Sequence, residues 1–429
     1  WQWAPSLYFA QGIPYVVVMS VAVILFKRMG MSNTDIALYT SGLNLPWVIK
    51  PLWSPLVDLL KTKRWWIVVM QILVGAGLAG IALTIQGPLA FRYCLAFMWL
   101  LAFSSATHDI AADGFYMLGL NEKKQAYFVG IRNTFYRFAV IFGQGILVMF
   151  AGWLEQRYAR EMPETAAIPQ AWSLTFYLLT ILFALLFVYH YLFLPHPRRD
   201  TCTLPPQQAS AGRVFKEFLG TFTSFFQKKH IVSALIFILL YRFAEAQLVK
   251  ITSPFLLDTP ATGGLALSTA EVGFIYGTIG VIALTIGGIV GGIAMARRGL
   301  KSCLWTMTIA MNLPNIVYLY LSFARPESIG IISGCVAIEQ FGYGFGFTSL
   351  TYFMMLFSNG KHQTAHYAIC TGFMALGLML PGMISGWIEE SIGYRAFFVW
   401  IMLCTIPSFW ATHLVRKNLT DNHSDNSSR

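Results

Sequence analysis

The sequence predicts an all-α integral membrane protein of twelve transmembrane helices in two six-helix halves. Three observations carry that prediction: a deficit of charge, long unbroken apolar runs, and basic residues collected between alternate runs. Apolar residues make up 56% of the 429 and charged residues 11%, with a mean hydropathy of +0.59. Soluble domains carry about 25% charged residues, so a chain this poor in charge must turn most of its exterior to lipid. Each helical span needs roughly 20 apolar residues, and hydrocarbon admits only helices or closed barrels. The runs lack the alternation of barrel strands, which leaves helices.

The spans fall near residues 4–26, 34–57, 65–86, 91–119, 127–153, 171–194, 230–257, 268–296, 302–323, 328–357, 363–388 and 395–415. The long connection lies between the sixth and the seventh. It opens with Pro195, Pro197, Arg198 and Arg199, passes through Pro205-Pro206, and ends at Lys228-Lys229. Its first part reads as a flexible linker. Its second part, from Val214-Phe-Lys-Glu-Phe-Leu219 onward, reads as an amphipathic helix lying on the membrane face. The expected organisation is a six-helix bundle over 1–194, a cytoplasmic linker over 195–229, a second six-helix bundle over 230–416 and a cytoplasmic tail over 417–429.

Of the thirty basic residues, eighteen fall in the loops and tail that share the side of the N-terminus. Seven fall on the opposite side: Lys27, Arg28, Arg92, Arg157, Arg160, Arg325 and Arg395. Those loops also hold the acids Glu155, Glu161, Glu164, Glu389 and Glu390. The positive-inside rule therefore places both termini in the cytoplasm. The net charge of +11 follows membrane topology and does not point to nucleic acid. Six scattered cysteines show no metal spacing and read as packing residues. Trp1 stands inside an apolar run with no initiator Met or signal-peptide n-region, so a few native residues are expected to precede it. Tryptophans 47, 53, 65, 66 and 172 fall near expected interfaces, as an aromatic belt requires.

The halves echo each other. Ser54-Pro-Leu-Val-Asp58-Leu-Leu-Lys61 follows the second span, and Gly292-Ile-Ala-Met-Ala296-Arg297-Arg298-Gly299-Leu-Lys301 follows the eighth. Two parallel six-helix repeats with a basic turn after the second helix of each resemble the major facilitator architecture. Asp58 is the acid that the first copy keeps for an inner gate.

Ionisable groups at membrane depth cost at least ~2.5–3.5 kcal/mol each, so they mark a pathway or a pair. Nine occur within the spans: Lys50, Asp109, Asp113, Arg132, Arg137, Arg242, Glu245, Lys250 and Glu339. Five cations and four anions also permit near-complete mutual pairing. Asp109 and Asp113 stand at i,i+4 on one face, where two carboxylates raise each other's proton affinity. Either they couple protons or Lys50 and Arg132 neutralise them. Asn133, Arg137 and Gln144, spaced four and seven, share a stripe, and the Arg137 guanidinium suits a carboxylate or phosphate. Arg242 and Glu245 at i,i+3 either satisfy each other or meet cargo, with Lys250 beyond them. Glu339 has no basic residue in its own helix, so its partner must come from another, and Tyr343 shares its face. Gln11 and Tyr15 flank Gly12 and Pro14, where a break in the first helix would expose polar groups. His366 reads as a gate or surface residue.

Several stretches resemble the AmpG-like muropeptide permeases, a branch of the major facilitator superfamily. They are Leu45-Pro46-Trp-Val-Ile-Lys50-Pro-Leu-Trp53-Ser-Pro55-Leu-Val-Asp58, Ser105-Ala-Thr107-His-Asp109-Ile-Ala-Ala-Asp113, Tyr241-Arg-Phe-Ala-Glu245 with Ser253-Pro254-Phe255-Leu-Leu-Asp258, Glu339-Gln-Phe-Gly342-Tyr-Gly344, and Thr364-Ala365-His366-Tyr367-Ala368. His108 stands where Gln is more usual, and Glu245 where Asp is common. The resemblance implies a monomeric, multi-pass protein of the bacterial inner membrane that uses a proton gradient and no other cofactor. Its cargo would be N-acetylglucosaminyl-anhydro-N-acetylmuramyl peptides or related amino sugars, imported for cell-wall recycling. Asp109, Asp113, Glu245 and Glu339 are the candidate proton-coupling residues. Gln11, Tyr15, Asn133, Arg137, Gln144, Arg242, Lys250 and Tyr343 are the candidate cargo contacts. Lys50, Asp58, Arg132 and His366 are the candidate gate. Another organic anion such as an acyl-CoA, or an efflux substrate, is the alternative. No Ser/His/Asp, Cys/His or HExxH constellation supports an enzyme, and no appended domain supports a sensor.

Overall fold

The computed structural model describes residues 3–119, 122–197, 200, 220, 222–360 and 363–426. Those residues form twelve membrane-spanning helical segments in the order expected. Eight stretches are long and apolar enough to cross a membrane by length and composition. Two of them, Thr269–Ala324 and Ala365–Asn418, each fold back on themselves. The turns are made at Gly299 (φ 73°) and Gly393 (φ 75°), left-handed positions that residues with a Cβ rarely adopt. The eighth span thus passes into the ninth, and the eleventh into the twelfth, with almost no loop. The second span is made of Asn33–Gly42 and Leu45–Leu60, and the tenth of Ile329–Ser358.

Helix starts follow capping chemistry. Ser32 Oγ accepts from Asp35 N at 3.0 Å, and Thr62 Oγ1 accepts from Trp65 N at 3.1 Å. Ser268 and Glu271 form a reciprocal capping box at the head of the eighth span. Pro14 does not break the first helix. Trp3–Arg28 runs through it, and a π-type turn at Val17–Val21 absorbs the distortion. Comparable wide turns occur at Ile141–Ile146 in the fifth span and Gly273–Gly280 in the eighth.

The chain divides into two compact units. The first is Trp1–Gln207 with Leu267–Thr278, and the second is Gln208–Ala266 with Ile279–Arg429. In the first, the third span packs on the fourth and sixth, and the first on the fifth. Trp3, Tyr8, Val57, Ile67, Phe115 and Leu194 lie in its core. A buried polar chain crosses this unit. The Gln71 amide bonds His108 Nε2 (3.1 Å) and His190 Nδ1 (2.9 Å), and His190 Nε2 bonds Ser6 Oγ (2.9 Å).

In the second unit, the eighth and ninth spans pack closely on the tenth. Glycines bring the backbones together: a Cβ on Gly344 would sit 2.0 Å from Leu284 O, and one on Gly342 would sit 2.1 Å from Ala310 O. The surrounding core gathers Phe225, Phe237, Tyr241, Leu304 and Phe353. Large apolar side chains such as Leu83 (68% exposed) and Val232 (67% exposed) face outward, as a lipid-facing surface requires.

Several expectations are corrected or left aside. The amphipathic segment at Val214–Leu219 and the Asp58 side chain lie outside the described residues. Trp172 is fully buried rather than in an interfacial belt, because its indole N–H donates to Glu155 Oε1 at 2.8 Å. Glu155 is likewise no exposed loop acid. Its Oε2 accepts from Arg28 Nε (3.1 Å) and Thr269 Oγ1 (2.7 Å). His366 is not at the surface, since it is buried beside Phe225 and bonds Ser224 Oγ at 2.9 Å.

Candidate functional site

In the first unit, three spans, the first, second and fifth, converge on the two aspartates of the fourth. Asp109 Oδ2 accepts from Trp47 Nε1 at 3.0 Å and lies 3.7 Å from Lys50 Nζ. Gln11 also faces this carboxylate, and the Tyr15 ring stands edge-on to Trp47 with centroids 5.2 Å apart. Asp113 Oδ1 lies 3.3 Å from Arg132 Nη1 and accepts from Tyr8 OH at 3.3 Å. The Arg132 guanidinium is 4.7 Å from the Tyr8 ring centre and 5.6 Å from that of Tyr116. Both aspartates are therefore ion-paired, as the pairing alternative anticipated. Lys50 and Arg132 bind carboxylates of the fourth span instead of standing apart from them.

Arg137 is half-buried and has no ion pair or hydrogen bond among the described residues. Asn133 is exposed and Gln144 buried. The wide turn at Ile141–Ile146 changes the helical phase between Arg137 and Gln144, so a spacing of seven no longer measures a shared face.

In the second unit, the seventh span is interrupted. Ile231–Leu240 stops, and Arg242 caps the next piece, Phe243–Leu257, with non-helical φ −108°. Arg242 turns toward the tenth span: Nη2 donates to Tyr343 OH at 2.5 Å, and its guanidinium lies 5.1 Å from the Tyr343 ring and 5.0 Å from that of Phe347. It makes no ion pair with Glu245 among the described residues, because those rings hold it. Glu245 Oε2 and Arg242 Nε are buried without hydrogen-bond partners among the described residues.

Glu339, 2% exposed, has neutral partners. Its Oε2 accepts from Tyr318 OH (3.1 Å) on the ninth span and from the neighbouring Gln340 Nε2 (3.0 Å). Its partner does come from another helix, as expected, but is the neutral Tyr318 hydroxyl, and no basic residue pairs with it among the described residues. Glu245 acts on it through space. Lys250 is 2% exposed and forms no ion pair or hydrogen bond among the described residues.

Tyr8, Tyr318 and Gln340 were not assigned to the site by the sequence, and Trp47 was assigned to the interfacial belt instead. All four hold a carboxylate, and their signal was only that of polar-tipped residues within apolar runs. Paired aspartates in one unit and neutral-bonded or unpaired charges in the other are the interior expected of a solute carrier.

The chain belongs to the Major Facilitator Superfamily, whose model matches residues 6–364. It is a transporter and not an enzyme. Over 410 residues it is 25% identical to "Putative transporter AmpG 4" of Rickettsia conorii, covering 93% of this chain and 92% of that one. Over 418 residues it is 24% identical to the "Anhydromuropeptide permease" of Escherichia coli K12, covering 96% and 78%. The solved nucleoside transporter NupG shares the fold, with TM-score 0.69 at 15% identity, covering 96% of this chain and 98% of the other.

Proposed function

We propose that this protein imports cell-wall muropeptides, or related amino sugars, by proton symport through alternating access in the bacterial inner membrane, with both termini cytoplasmic. The observation that carries the reading is the state of charge in the second unit. Among the described residues, Lys250 is a buried cation that no carboxylate pairs with, and Glu339 is a buried carboxylate that no cation pairs with.

An isolated buried charge is expensive, so each is a place where something mobile would complete the balance. A proton does so at Glu339, with Glu245 beside it to share the site. A cargo carboxylate does so at Lys250. Arg242 and Tyr343 present an aromatic-backed donor surface suited to sugars and amides. Asp109 and Asp113, being paired with Lys50 and Arg132, serve the proton reading only when those pairs open, and His366 and Asp58 remain gate candidates. Similarity to relatives named as AmpG transporters and an anhydromuropeptide permease supports the cargo class.

The test is acidification-driven uptake of labelled anhydro-muropeptide into proteoliposomes. Uptake should follow the proton gradient and collapse in the Asp113→Asn, Glu339→Gln double variant. Gradient-independent uptake, or an unaffected double variant, refutes the coupling. Transport of an acyl-CoA in place of the muropeptide would keep the anion site and change the cargo.

A further inference from the structure

We propose that a pocket at the head of the third span binds the headgroup of an acidic phospholipid. The cavity measures about 230 Å³ and is lined chiefly by Thr62, Arg64, Trp65, Tyr191, His196 and Asp200. Small-molecule sites run to about 300–1,000 Å³, so this one suits a phosphate headgroup better than a sugar-peptide.

Arg64 is held in place for such a ligand. Its Nε donates to Leu194 O at 3.2 Å, Nη2 donates to Tyr191 O, and the guanidinium lies 5.8 Å from the Tyr191 ring centre. Nη1 has no hydrogen-bond partner among the described residues. The acid in the pocket is already occupied: Asp200 accepts from Lys63 N (2.7 Å) and Arg64 N (3.1 Å), so the helix terminus answers its charge. Lys61 adds a further cation, its ammonium 6.0 Å from the Trp65 ring. Arg64 in the lining and Lys61 beside it thus stand against a single acid, Asp200, whose charge the helix terminus already holds.

The surroundings point to lipid rather than to a free anion. Tyr191, Leu192 and Phe193 are 55%, 63% and 63% exposed, continuing from the pocket as an apolar surface at the end of the sixth span. Trp65 is 42% exposed beside them. Fixed cations, an interfacial indole and an adjoining apolar strip are the chemistry of headgroup depth. The inference needs only that the chain spans a membrane, and it stands or falls separately from the cargo.

The experiment is native mass spectrometry of the full chain in mild detergent, with phosphatidylglycerol and phosphatidylcholine in competition. Phosphatidylglycerol should be retained in preference. Arg64→Gln and Lys61→Gln should each lower that preference about fivefold, the factor for roughly one basic group at a membrane surface. Lys61 is exposed and makes no backbone bond of this kind, so its variant keeps the test valid if Arg64→Gln misfolds. Equal retention of the two lipids, or a preference unchanged in the Lys61→Gln protein, overturns the proposal. Displacement of the lipid by inorganic phosphate also overturns it, by making the pocket a free-anion site.

Discussion

Replacing Glu155 tests the buried polar junction of the first unit. The carboxylate receives three donors from three other helices: Trp172 Nε1 at 2.8 Å, Arg28 Nε at 3.1 Å and Thr269 Oγ1 at 2.7 Å. Glu155→Ala strands the indole N–H of a fully buried tryptophan, at about 1–3 kcal/mol. Arg28 is not stranded, because Nη2 keeps Glu164 at 2.9 Å. With its side chain 24% exposed, its loss should add no more than about 1 kcal/mol. The expected destabilisation is therefore about 1–4 kcal/mol for Ala. Glu155→Gln keeps an acceptor for the indole and should lose about half as much. Equilibrium unfolding in mixed micelles supplies the measurement, with Trp172→Phe completing a double-mutant cycle. The coupling between positions 155 and 172 should be about 1 kcal/mol. A cycle that closes to zero, or an Ala variant as stable as the parent, refutes the reasoning.

Other outcomes follow from the same geometry. Gly344→Ala should destabilise the second unit by ~3 kcal/mol or more, since its Cβ would meet Leu284 O at 2.0 Å and a backbone oxygen cannot rotate away; thermal unfolding reads this. Lys250→Met should leave thermal stability unchanged or raise it, because an unpaired buried ammonium is removed, while raising the KM for an anionic cargo at least about tenfold. An unchanged KM would remove Lys250 from the cargo site. Arg132→Gln should cost no more than about 1 kcal/mol, as its pair with Asp113 leaves both side chains about a third exposed (33% and 38%). A larger loss would mean that its packing on Tyr8 and Tyr116 dominates.

The spans were legible in the sequence because apolar length is a one-dimensional quantity. The turn after the eighth span was also legible, since Arg297-Arg298-Gly299 joins charge to a glycine that takes positive φ. Pairing by depth anticipated that Lys50 and Arg132 would neutralise Asp109 and Asp113, but not which cation meets which carboxylate. What a helix face meets was not legible. By sequence Glu155 and Trp172 fall at the ends of their spans, where residue type fits an interface, yet the sixth helix begins at Glu164 and the two residues turn inward and satisfy each other. Trp47 fits the same belt, but its N–H goes to Asp109. Arg242 and Glu245 have the spacing of a helical pair, but the chain breaks its helix at Arg242 and sends the guanidinium to two aromatic rings. These outcomes depend on rotation about the helix axis and on neighbouring helices, neither of which composition encodes.

The three wide turns, at Val17–Val21, Ile141–Ile146 and Gly273–Gly280, give these helices a tolerance that a regular helix lacks. A π-type turn holds one residue more than the α-turn it replaces. Removing a residue there would let the turn relax to α geometry while everything beyond it keeps its aim. The same deletion in a regular stretch would swing the following side chains by ~100° about the axis. Single-residue deletions are therefore expected to be tolerated at these three points of the membrane domain, where elsewhere they would turn lipid-facing residues into the core.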